Sequence, residues 1–87
     1  MANRVKGQIT QFYPSERGCY IRIGGIPSAD TPKNGLFLID KAHKNYDSLF
    51  SFAMAAALAR IEVTVRAPGE IDPSRNSVPV QYLSARW

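Results

Sequence analysis

Between Asn45 and Arg60 the sequence runs N-Y-D-S-L-F-S-F-A-M-A-A-A-L-A-R, and this stretch limits the fold more than any other. It is free of proline and glycine and rich in alanine, the residue that gives up least on entering a helix. Asn45 is the expected N-cap, with its side chain accepting from the first-turn N–H groups. Asp47 and Arg60 put a negative and a positive charge at the ends where the helix dipole favours them. From Tyr46 to Ala59 such a helix is about 21 Å long at 1.5 Å per residue. Tyr46, Leu49, Phe50, Ala53 and Ala57 form one stripe at core-facing spacing, and Phe52, Ala55, Ala56 and Ala59 form a second. Apart from Ser48 and Ser51, little of it is polar. A lone surface helix should present a charged outer face, so this one is expected to be covered on two sides.

Short β-branched and aromatic runs lie on both sides of the helix. Val5 to Tyr13 alternates as a strand with Val5, Gly7 and Ile9 inward. Phe12 falls off that phase, which predicts a bulge or a change of partner. Pro14-Ser15-Glu16-Arg17-Gly18 is a turn signal, and Cys19 to Ile23 resumes the alternation with Ile21 and Ile23 on one face. These two strands form a hairpin. Gly24 to Gly35 is a Gly- and Pro-rich loop, long enough to be functional. Leu36 to Ile39 is a third strand, and Asp40 to Lys44 a polar link to the helix. Ile61 to Arg66 is the most regular strand, with Ile61, Val63 and Val65 inward. Ala67 to Ser77 is a loop. Val78 to Trp87 is the last strand, and Pro79 near its start argues for an edge position there.

With 87 residues the chain is one domain, 1–87, of a size that buries only about 60–65% of its unfolded surface. Domains this small are commonly reinforced by disulfides, a metal or oligomerisation. Cys19 is the only cysteine and His43 the only histidine, which excludes an internal disulfide and a closed four-ligand zinc site. No cofactor is expected, and oligomerisation is the aid left open. Eleven Lys and Arg against seven Asp and Glu give a net charge of +4, which permits anionic partners without requiring them. No apolar run resembles a signal peptide or approaches the ~20 residues of a membrane helix. A soluble protein is expected, cytoplasmic unless a signal has been removed.

Strand, strand, strand, helix, strand, strand is the element order of the OB-fold, a small Greek-key barrel whose helix sits between strands 3 and 4. The fold class is therefore mainly β, a β-barrel with one helix. An open antiparallel sheet with one helix packed on it uses the same elements. Gly7 and the Phe12 phase slip suit the stronger curvature of the barrel.

The segment Asn45 to Arg66, N-Y-D-S-L-F…A-A-A-L-A-R-I-E-V-T-V-R, together with the element order over nearly the whole length, resembles the B subunits of bacterial toxins that assemble as one A subunit on a ring of five B subunits. The resemblance implies a homopentamer in which such helices pack side by side around a central pore and outer strands pair between neighbours. It also implies carbohydrate binding and an A-type catalytic partner subunit. The disulfide usual in those secreted subunits cannot form with Cys19 alone, which leaves open a cytoplasmic or phage-derived relative of the same architecture.

Catalytic chemistry has little to stand on. A Cys19–His43 pair would need hydrogen-bond reach and an orienting carboxylate such as Asp40. The plainer expectation is a small barrel residue and a solvated loop residue, and no enzymatic activity. Glu70 and Asp72 flank Ile71 in a proline-bounded loop and read as a solvated turn. No Gly-rich loop follows a strand and opens a helix, so the common phosphate-binding motifs are missing.

Two surfaces are candidates for binding. Tyr20, Arg22, Lys33 and Phe37 are taken as an outward set on strands 2 and 3 and the adjoining loop, where OB-folds often bind. Aromatics there stack bases or sugar rings and arginine pairs with phosphate or carboxylate. Arg17 and Arg75, at turn tips, complete the candidate ligand residues. The expected oligomer interface comprises Phe52, Ala55, Ala56 and Ala59 with the C-terminal Tyr82, Arg86 and Trp87, aromatic and arginine residues being enriched at interface hot spots. The leading expectation is a non-enzymatic OB-fold ring that binds carbohydrate. The alternatives are an OB-fold for single-stranded nucleic acid, whose electrostatic drive at +4 would be small, and a structural assembly module without a small ligand.

Overall fold

The computed structural model describes residues 3–86. Its elements are β1 (Arg4–Ser15), β2 (Gly18–Ile23), a 3-10 turn at Ser28–Asp30, β3 (Leu36–Asp40), α1 (Tyr46–Ala59), β4 (Glu62–Arg66), β5 (Ser77–Pro79) and β6 (Tyr82–Ser84). The described residues are mainly β, with one α-helix among them and a curled sheet in the order β5-β3-β2-β1-β4-β6.

The long β1 is the axis of the curl. Residues 4–8 pair with β4, and from Ile9 onward the strand pairs with β2. The change of partner occurs beside a register shift between Ile9 and Gln11, which accounts for the off-phase Phe12. The bulge turns Phe12 toward the helix, where its ring meets Phe50 edge-on at 5.3 Å between centroids. Gly7 sits where the end of β2 crosses over β1. A Cβ there would overlap the Gly24 carbonyl and the Ile23 side chain, so the crossing needs a residue without one.

The expected last strand is instead two short ones with different partners. β5 runs parallel to β3 and β6 antiparallel to β4. Between them the Val80 N–H donates to the Leu38 carbonyl at 2.8 Å and the Gln81 N–H to the Arg66 carbonyl at 2.7 Å. Consecutive residues thus bond to opposite margins of the sheet. Pro79, which has no N–H to give, lies in the edge strand β5.

The sheet's concave face carries Val5, Cys19, Ile21, Ile23, Phe37, Ile39, Val63, Val65, Val78 and Val80, all buried. Ile71, from the loop after β4, is completely buried too. It is the one large apolar side chain in a polar loop, and the flanking Glu70 and Asp72 stay exposed. Helix α1 packs against β1, β3 and β6 and adds Leu49, Ala53 and Ala56 to the core.

The helix has the bounds expected from sequence, but its rotation differs. Ala56, placed in the outer stripe by spacing, is buried, and Ala57, placed in the inner one, is only half-buried. In a helix this apolar, the sequence carries almost no phase from which to choose. Asn45 is not a side-chain cap, since its side chain makes no capping bond. At the other end Arg60 is in the left-handed conformation, φ 58°, where glycine is usual. Its N–H bonds to the Ala57 carbonyl and the Ile61 N–H to the Ala56 carbonyl, the paired bonds of a Schellman motif. The Gln8 side-chain amide donates to the Arg60 carbonyl at 2.9 Å, tying this cap to β1.

Candidate functional site

The outer face of α1 is the most unusual surface of the protein. Leu58 is 81% exposed and Met54 41%. On the same helix Phe52, Ala55, Ala56 and Ala59 line a groove of about 240 Å³, completed by Ile61 and Ala85. The four helix residues expected at an oligomer interface are therefore brought together. Ala56 forms the groove floor, being buried, and Phe52 is half-buried against the core. Ile61 and Ala85 were not readable as groove residues, because only the antiparallel return of β6 along β4 sets Ala85 near the end of the helix. Burying a leucine side chain fully contributes about 1.5–3 kcal/mol. Leu58 gains almost none of that in a single chain.

The C-terminal candidates separate from this groove. Tyr82 lies at the far end of β6, opposite Arg66, with the Arg66 guanidinium over its ring at 5.9 Å. Arg86 is exposed, and Trp87 lies outside the described residues. Arg66 Nε is buried and finds no hydrogen-bond acceptor among the described residues. Its stacking on Tyr82 offsets part of that cost.

The six expected ligand residues do not form one site. Phe37 is a correction: it is fully buried. Its register partner is Ile21, so the two share the concave face. The run Leu36-Phe37-Leu38-Ile39 is apolar throughout, so no alternation marked which side faced in. Tyr20 is on the outer face and half-buried, tilted against Tyr13 with ring centroids 5.6 Å apart. Arg22 is exposed but engaged. Its Nε donates to Gln11 Oε1 and its Nη1 to the Asn34 carbonyl, each at 2.9 Å. Lys33 and Arg75 come together, because the Lys33 N–H donates to the Arg75 carbonyl and joins their two loops. Arg17 is at the other end of the strands, where its carbonyl accepts from the Lys41 N–H.

Near Arg17, an open concavity of about 560 Å³ surrounds the link into α1, with Lys41, His43, Lys44 and Tyr46 on its walls. His43 is not the solvated residue expected. Its Nδ1 accepts from the Asn45 N–H at 3.0 Å. The ring proton is therefore on Nε2, which donates to the Gln81 carbonyl at 2.9 Å. The imidazole thus clasps the helix entry to the segment between β5 and β6, and neither nitrogen is left for a substrate.

Cys19 is enclosed in the core. Burial pushes its thiol above the ordinary range, partly countered by a backbone hydrogen bond from Tyr13. That is the opposite of an activated nucleophile. Asp72 Oδ1 accepts from both the Ser74 hydroxyl and the Ser74 N–H. Those bonds hold the carboxyl below its usual range, with help from Arg75. Glu70 and Asp72 are therefore a turn feature. No group of three metal-ligating side chains gathers among the described residues, and none of their helices is long and apolar enough to cross a membrane.

Compared with models of protein families, with curated proteins and with solved structures, the chain matches none of them.

Proposed function

We propose that this chain is a non-enzymatic OB-fold binding module that works as a homo-oligomeric ring, assembled through the outer face of α1. One observation carries the reading: Phe52, Ala55, Ala56 and Ala59 line an apolar groove on α1, and Leu58, at 81% exposure, and Met54 extend the exposed apolar surface of the same helix. No charged residue occurs between Phe50 and Ala59 to make that face a solvent surface. An exposed apolar patch of this kind marks an interaction site, and a domain this small gains from oligomerisation.

The OB-fold reading is supported by the order of the elements and by the segment from β5 to β6, which bonds to both margins of the curled sheet. A ring of five and a carbohydrate ligand follow from the resemblance to toxin B subunits. The outer pair Tyr13 and Tyr20, with Tyr13 half exposed, offers an aromatic surface on which a sugar ring can stack. The nucleic-acid alternative has less to support it, since Phe37 is in the core and Arg22 is tied to Gln11 and Asn34.

Native mass spectrometry at low micromolar concentration tests the assembly, with a five-membered species expected and a monomer overturning it. A glycan array then tests the ligand. Hits lost in Tyr13→Ala support the sugar reading, and a confirmed ring without hits replaces it with a purely structural assembly module.

A further inference from the structure

Asn34, exposed, and Gly35, buried behind it, form an Asn-Gly step in the loop before β3. They end a turn in which the Gly35 N–H donates to the Pro32 carbonyl at 2.8 Å. Gly35 has φ 70°, and a Cβ at this position would overlap Arg22 Nη1. The guanidinium therefore lies directly against the Asn34–Gly35 peptide unit, where Nη1 donates to the Asn34 carbonyl at 2.9 Å.

We infer that Asn34–Gly35 is a self-modification site whose isoaspartyl product is directed and held by Arg22. When the turn opens, the Gly35 nitrogen attacks Asn34 Cγ, a bond that the missing glycine side chain leaves unobstructed. The side-chain amide nitrogen departs as ammonia, carrying the proton lost from Gly35, and a five-membered imide closes. Water then adds to one of the two ring carbonyls. The carbonyl that Arg22 polarises is the main-chain one of Asn34. When the water oxygen bonds to that carbon, its bond to the Gly35 nitrogen breaks. One water proton goes to that nitrogen and the other to solvent. The net change is gain of water and loss of ammonia.

The chain now runs through Cγ, and the former main-chain carbonyl is a free carboxylate. The atom that accepted a hydrogen bond from Arg22 has become an anion facing a guanidinium. The bond, already charge-assisted by the guanidinium, becomes a pairing of two opposite charges. Lys33, next in sequence, and Arg75, bonded to it through the backbone, add positive charge to the same loop cluster. The modification would turn a basic corner of the molecule into a paired one.

The test is incubation of the purified chain for days at mildly alkaline pH, followed by peptide mapping and an isoaspartyl-specific methylation assay. A gain of about one dalton confined to Asn34 is expected, with the isoaspartyl form predominating, and none in Asn34→Gln. In Arg22→Gln the ratio of isoaspartyl to aspartyl product is expected to fall to that of a synthetic peptide of residues 30–38. The proposal is overturned if the folded chain stays unchanged at Asn34 while a synthetic peptide of residues 30–38 converts. An unchanged product ratio in Arg22→Gln overturns the role given to Arg22.

Discussion

Leu58→Glu separates the assembly reading from the fold more sharply than any other change. In the single chain the side chain is 81% exposed and outside the core, so its replacement costs the monomer no more than about 0.5 kcal/mol. Glutamate and leucine are both good helix formers, so α1 itself is preserved. For a domain of this size that cost moves the melting temperature by less than about 4 °C. In an assembly built on this face, Leu58 is buried once per subunit and each burial contributes about 1.5–3 kcal/mol. At 1.4 kcal/mol per tenfold, losing it weakens each contact by roughly ten- to a hundredfold, before the cost of enclosing a carboxylate is added. The assay is a dilution series followed by sedimentation velocity, with circular dichroism on the same samples. The expected result is a folded monomer at concentrations where the unaltered chain is oligomeric. A Leu58→Glu oligomer with unchanged mass and unchanged midpoint would refute the argument, because the helix face could not then be the contact.

Three further outcomes follow from the geometry. Arg60→Gly should raise stability by about 1 kcal/mol in urea unfolding, since it removes a side chain from a left-handed position while keeping the Schellman bonds. Phe37→Ala should cost about 3–5 kcal/mol, read as a shift of the denaturation midpoint, where a surface residue would show almost none. The Asp72 carboxyl, held below its usual range by Ser74, stabilises the fold above the ordinary carboxylate range, and that contribution is lost as pH falls through the lowered value. The stability difference between the unaltered chain and Asp72→Ala should therefore be present at neutral pH and vanish in strong acid; a difference constant with pH would contradict it.

The parts legible in the sequence are those where apolar and polar residues alternate or where a special residue punctuates them. Val5-Gly7-Ile9, Ile21-Ile23 and Val63-Val65 all face inward as expected, and the off-phase Phe12 does mark the bulge. What could not be read is whatever lacks contrast. Leu36 to Ile39 is apolar at every position, so Phe37 could be assigned to either side. The helix is alanine-rich around most of its circumference, which hid the burial of Ala56. The split after Pro79 leaves no local trace, because the partners that separate β5 from β6 belong to strands far upstream. His43 was unreadable for the same reason: Gln81, the residue it clasps, is remote in sequence.

The segment from Ser77 to Ser84 bonds to both β3 and β4, and this has a consequence for synthesis. A nascent chain that has emerged only as far as Arg75 holds two unprotected strand edges, and each can pair with another copy. Closure waits for contacts across long stretches of chain, the kind that form slowly. A chain truncated after Arg75 should therefore aggregate at concentrations where the unaltered chain stays folded.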